Sequence, residues 1–312
     1  MQGGQRDSMV NANLPQGTVA RQTRGPRIPL GIHRLRDVDP IAATVYVLLH
    51  VGCLGVFFVA FTAQAVLLLV CSFLARAVAV SVIYHRYFAH RTFQTSRAMQ
   101  FIFGLYGIFA VMGGPLWWSH THRQHHHHAD TQEDLHSPQY QGFVYSHCGW
   151  FLHPSNRSVD YSYVRDLARY PELVVLEKYS FAAKLASAVL FYWAFGLTGV
   201  LWGFLVPTVI ILQMIHFIQS TSHCFRGYRR FPTPDNSRNH WLFGLVSLGE
   251  GFHHNHHAFP SSARLGLAWW EFDVGYWIIR GMQRLGLVWG VRMPRAGATP
   301  GAASEELAGA GQ

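Results

Sequence analysis

A chain of 312 residues has room for one large domain or two, but half of its residues are apolar and only 13% are charged, which argues against an ordinary soluble domain. The net charge of +9 would suit nucleic acid, yet the arginines flank apolar runs. They read as contacts to a membrane surface or to anionic headgroups, and no nucleic acid is expected.

Residues 1–38 are polar and basic, lack the apolar stretch of a signal peptide, and are expected to be disordered. Two apolar runs follow, 41–61 and 62–84. About 20 mostly apolar residues suffice for a bilayer-spanning helix, so the pair reads as one transmembrane hairpin. A second pair, 179–195 and 198–218, reads as another. The links around Phe61 and Gly196 carry no charge. Arg21, Arg24, Arg27, Arg34 and Arg36 precede the first hairpin, Arg86, Arg91, Arg97 and Arg123 follow it, and Arg226, Arg229, Arg230 and Arg238 follow the second. Arginine concentrates on the cytoplasmic side, which puts both termini and the segments 85–178 and 219–294 there. Arg76, inside the second run, is costly in lipid and is expected to face protein or to snorkel.

The stretch Ala98–Pro115 is apolar but marginal in length and glycine-rich, so it is expected to be interfacial or re-entrant. Its crossing the bilayer would separate the histidines on either side of it. The tail 295–312 is Ala/Gly-rich and expected to be disordered. Cys53, Cys71, Cys148 and Cys224 show no metal-site pairing and are expected to be packing residues in a reducing compartment.

Three histidine-rich blocks punctuate this frame: His85 and His90; His122, His125 and His126; His253, His254, His256 and His257. Neutral imidazole suits Fe, Zn, Cu and Ni and discriminates against Mg and Ca. The second and third blocks carry the i, i+3, i+4 spacing that shares one helical face. His85 and His90 lie five apart, roughly 140° around an α-helix, so a helix end or bend is expected between them. One such tract alone could be a chelating low-complexity segment; three, each beside an apolar run, point to one assembled centre. No dinucleotide-binding, iron–sulfur or haem motif accompanies them.

Several motifs together make the chain resemble the membrane-bound fatty acid desaturases, specifically the acyl-CoA delta-9-like branch and its bacterial members. They are His85 through Arg91, Trp118 followed by the second block, Asp134-Leu-His136, Ser146 through Trp150, Asn236 through Asn239, and Gly249 through Pro260. The similarity runs from about Ile41 to Arg292. It implies an all-α integral membrane domain over 39–294, in the inner membrane of a bacterium, with four transmembrane helices under a cytosolic helical cap formed by 85–178 and 219–294. It further implies two irons held by His85, His90, His122, His125, His126, His223, His253, His256 and His257, with Gln219 reaching one iron through a water where relatives have Asn. Glu250, Asp130 and Asp134 are candidates to orient imidazoles, or else solvated acids. His127, His128 and His254 fall on other faces and are expected to meet solvent or support ligands, with His120, His136 and His147 intermediate. His50 and His216, within spans, are expected to be hydrogen-bonded core residues.

The resemblance implies desaturation of a saturated acyl chain by O2, with electrons from a ferredoxin, a rubredoxin or a cytochrome b5-like protein and its reductase. It places Trp118 at a tunnel kink and Phe73 and Ala77 near the tunnel's closed end, although Phe73 alone also reads as a core or lipid-facing aromatic. Arg157 and Arg229 are candidate headgroup contacts, with Arg165 and Arg230 beside them. Fatty acyl-CoA is the first expectation for substrate, and acyl carrier protein or phospholipid chains come next. Hydroxylation, acetylenation or decarboxylation on the same irons is the nearest alternative, and a histidine-rich metal transporter is the alternative from another class.

Overall fold

The computed structural model describes residues 28–294 except Arg226. The expected disorder of 1–27 and 295–312, and the charges at Arg21, Arg24, Arg27 and Arg226, lie outside the described residues. Residues 28–38 depart from the expected disorder: Ile32–Asp37 form a 3-10 helix, and the N–H groups of Phe143 and Val144 donate to the carbonyls of Pro29 and Leu30, each at 2.8 Å.

The described residues are mostly helical, and among them three helices are long and apolar enough to cross a membrane: Pro40–Phe58, Ala63–Ala89 and Ser180–Thr221. The first begins with α1 (Pro40–Gly52), where Asp39 caps the first turn by accepting the Ala42 N–H at 2.7 Å. The second is α2 (Ala63–Val78), capped by Thr62, running directly into a π-helix, Ala79–Ala89. The third is 42 residues long and does not run straight. Within it, α6 (Ser180–Thr198) contains Gly196 at φ 61°, ψ −150°, a region essentially reserved for glycine. In a straight helix Phe191 and Phe204 would stand about 20 Å apart; here their rings are 6.4 Å apart. The chain therefore doubles back at Gly196, through a π segment (Gly199–Leu205), into α7 (Val206–Thr221).

Between these helices lie α3 (Arg97–Ile108), α4 (Pro115–His128) and α5 (Pro171–Lys178). The 12 residues of α3 span about 18 Å, too little for a hydrocarbon core of about 30 Å. Pro115 opens α4 at a position where proline loses no hydrogen bond. Glu177 at the end of α5 then accepts the N–H groups of Leu116 and Trp117 at 2.8 and 2.9 Å, an anion at the positive end of the α4 dipole. The last helices are α8 (Trp241–Val246), α9 (His253–Ala258) and α10 (Val274–Arg284).

Two buried arginines lock this frame. Arg76 faces protein and does not snorkel: its guanidinium donates to Ser72 Oγ and the Phe109 carbonyl and lies over the Phe109 and Phe204 rings. Arg86, expected as a flanking surface charge, is fully buried. It donates to Asp273, Glu250 and the carbonyls of Leu248 and Ala263, tying the end of the second apolar helix to the loop before the third histidine block.

Candidate metal centre

The π-helix solves the spacing problem of the first block. The His90 N–H donates to the His85 carbonyl at 3.1 Å, five residues back as in a π turn. Their rings come within 5.0 Å, without the helix end expected between them; the helix ends at His90 instead.

Nine histidines form two clusters, His85, His90, His122, His126 and His256 in one, and His125, His223, His253 and His257 in the other. The i, i+4 pair of each block serves one cluster, and the i+3 residue serves the other. In α4, His122 and His126 face the first cluster and His125 the second; in α9, His253 and His257 face the second and His256 the first.

Neighbouring Nε2 atoms lie 2.8–3.1 Å apart in the first cluster and 2.9–3.4 Å apart in the second. Two imidazole nitrogens bound at right angles to one ion, each about 2.1 Å away, stand about 3.0 Å from each other.

Carboxylates behind the rings decide the tautomers. Asp134 lies 3.1 Å from His125 Nδ1, Asp130 lies 2.8 Å from His223 Nδ1, Glu250 contacts His85 Nδ1, and Asp235 lies 3.6 Å from His257 Nδ1. With the proton held at Nδ1, each Nε2 is an acceptor only. His125 and His257 then point lone pairs at each other across 3.4 Å, an arrangement that a shared cation relieves and a hydrogen bond cannot. The donor set fits two transition ions.

Electrostatics agree. Burial first, then the neighbouring histidines, holds the pKa of His90, His122, His126, His253, His256 and His257 well below 6.5, so these rings are neutral, as ligands must be. Burial also works against a charged His223, but Asp130 more than offsets it and raises that pKa.

A family model described as fatty acid desaturase matches residues 60–289. The chain belongs to the fatty acid desaturase family. It is 39% identical over 224 residues to an sn-2 palmitoyl-lipid 9-desaturase of Nostoc sp. (strain 36), covering 70% of this chain and 78% of the relative. An sn-1 stearoyl-lipid 9-desaturase of Anabaena variabilis is 35% identical over 78% of this chain and 90% of its own length. An icosanoyl-CoA 5-desaturase of Limnanthes douglasii is 33% identical over 83% and 73%. The enzyme is thus an oxidoreductase of lipid metabolism.

Other histidines of this desaturase sort by contact. His127 is exposed. His254, expected to meet solvent or to support ligands, is fully buried: its Nε2 accepts the Phe231 N–H at 3.0 Å and its Nδ1 meets Ser237 Oγ at 3.1 Å. It anchors α9 from behind, together with Asn255, which bonds Asn239 and Glu271. His50 is hydrogen-bonded to Gln213 and to the Tyr46 carbonyl, as expected of a core residue. His216 is not: its buried Nδ1 has no partner among the described residues.

His216 instead lines a small cavity with Gln219, Trp117, Trp118, Phe151 and His122 of the first cluster. Gln219 Oε1 is also buried and unpartnered there, and Trp118 stacks on His122 at 4.9 Å. Ala77 is buried in the core, and Phe73 packs against it. Arg157 pairs with Asp39 at 3.3 Å, whereas Arg229 bonds Thr233 in another loop. Asp235 escaped the sequence reading, and His216 is expected there only as a hydrogen-bonded core residue. Asp235 had one signal, being the single acid between His223 and Glu250.

Proposed function

We propose that the enzyme is a membrane di-iron acyl desaturase that introduces a cis double bond, delta-9 in position, into a saturated chain. The two-cluster arrangement of nine imidazoles carries this reading. Relatives named for 9-desaturation of lipid-linked chains support the position, and those named for CoA-linked chains keep acyl-CoA beside lipids as carrier. One CH2–CH2 unit, one O2, two electrons and two protons give CH=CH and two waters, the electrons coming from a ferredoxin, a rubredoxin or a cytochrome b5-like donor.

Iron, bound by the nine histidines, supplies the O2 chemistry that acid–base side chains cannot. The protein's part is positional. The carboxylates at Nδ1 of His85, His125, His223 and His257 fix the orientation of those four rings and keep their Nε2 atoms available. Trp118, stacked on His122, and the walls Trp117 and Phe151 hold an alkyl segment beside the centre and exclude bulk water. Gln219 Oε1 and His216 Nδ1 supply two polar atoms in that apolar surround, and Gln219 is placed to hold a water near one metal. Phe73 and Ala77 set chain length at the far end.

Counting Ser180–Thr221 as two crossings broken at Gly196 gives four spans in two hairpins. The centre then lies in a cap on the cytoplasmic side of a bacterial inner membrane, in keeping with the arginine placement. It sits at the ends of the apolar helices rather than at mid-span, unlike transporter sites.

Expression in a desaturase-deficient host, followed by lipid mass spectrometry, tests the reading. Monounsaturated chains with the bond at carbon 9 are expected; products that are only hydroxylated or triple-bonded would replace desaturase by the alternative chemistry.

A further inference from the structure

The cavity against His122 is not isolated. Two of its walls, Trp117 and Phe151, also line a groove of about 320 Å³ that holds Arg157 and Lys184. Val111 and Lys184 are shared in turn with an apolar groove of about 300 Å³ between α1 and α6, lined by Val45, Leu49, Phe181 and Leu185. Through these shared walls the three spaces follow one another from the cavity at His122, past Arg157 and Lys184, to the outer face of two apolar helices. Phe181 and Leu185 are 73% and 59% exposed, so the far end opens where hydrocarbon covers the protein.

The middle of this path carries two cations, Lys184 and Arg157, beside the acid Glu177. Lys184 lies in the first turns of an apolar helix and has no ion pair among the described residues. Glu177, the acid in the same groove, directs its carboxylate to the α4 N-terminus. Arg157 stands at the rim, its side chain 52% exposed and paired with Asp39 at 3.3 Å. A cation at the edge of hydrocarbon is costly until an anion meets it. The neck is held by unusual backbone: Val111 has φ 62°, rare for a β-branched residue, and Gly113 has φ 86°, where an added Cβ would strike the Trp117 ring.

We propose that this path is a lateral entry for an acyl chain still esterified in a bilayer glycerophospholipid. The phosphate sits at Lys184 and Arg157, one chain bends past Trp117 and Phe151 toward His122, and the other stays in the groove between α1 and α6. The proposal rests on the desaturase reading and makes its substrate membrane-resident. A water-borne thioester would arrive from the aqueous side and leave the apolar groove unused.

The test uses the full chain in nanodiscs containing phosphatidylglycerol with a diazirine on its sn-2 chain, with cross-links mapped by mass spectrometry. Labelling is expected at the interior residues Trp117, Trp118 or Phe151, not only at the lipid-facing Phe181 and Leu185. Lys184→Glu should lower interior labelling roughly tenfold, as expected for one charge-assisted contact, and leave lipid-facing labelling in place. Ala188→Trp, which plugs the outer groove, should do the same and serves if Lys184→Glu fails to fold. Labelling confined to lipid-facing residues overturns the proposal. A turnover arm compares stearoyl phosphatidylglycerol with stearoyl-CoA. Product from the thioester alone, unaffected by Ala188→Trp, also overturns lateral entry while leaving the desaturase standing. Interior labelling with no unsaturated product from either substrate supports the lipid site and sinks the desaturase reading.

Discussion

Single side chains set the electronic state of the centre from behind. Asp235 touches no Nε2, yet it is placed to fix the tautomer of His257. Asp235→Asn should lower iron affinity about 10–100-fold, the usual cost of losing such a partner, with little change in fold. Iron content after titration with a chelator reads this directly. Arg86 is a different kind of residue, neutralising Glu250 and Asp273 where water is absent. Arg86→Met leaves both carboxylates buried and uncompensated, a loss of about 3–5 kcal/mol by the measure of broken buried pairs. A large fall in Tm of the detergent-purified protein is expected, and an unchanged Tm would refute the locking role.

At the scale of elements, the departure from α geometry at Ala79–Ala89 is what brings His85 and His90 into one cluster. The sequence spacing showed that an ordinary helix could not aim His85 and His90 at one point. It could not choose between a helix end and a wider helix, because that choice depends on what packs around the segment. Deleting Ala89 should restore an α-like register and rotate His90 by about 100°. The first cluster then loses a ligand while the second keeps its four, and bound iron should fall from two per chain toward one, by metal analysis.

The whole molecule concentrates depressed histidine pKa values at one end of its apolar helices. Between 6.5 and those lowered values the unfolded chain binds more protons than the folded one, so stability rises with pH across that window. The contribution is complete above about 6.5 and is lost as pH falls below it; His223, with its raised pKa, acts in the opposite sense. Tm and iron retention are expected to decline together between about pH 6.5 and 5, and iron release that begins above pH 7 instead would contradict the neutral-imidazole assignment.

What the sequence determined alone is chemistry and, in outline, placement: imidazole donors for transition ions, apolar helices with a break at Gly196, and a short Ala98–Pro115 stretch that leaves the blocks together. Those features are local, because residue type and spacing along one helix carry them. Tertiary structure alone decided how nine histidines divide into five and four, that Asp235 supports His257, and that Arg86 is buried. It also decided that His254 anchors α9 and that the cavity at His122 shares the walls Trp117 and Phe151 with the groove that holds Lys184. Each of these depends on which faces of distant segments meet, and helical periodicity specifies the faces but not their partners.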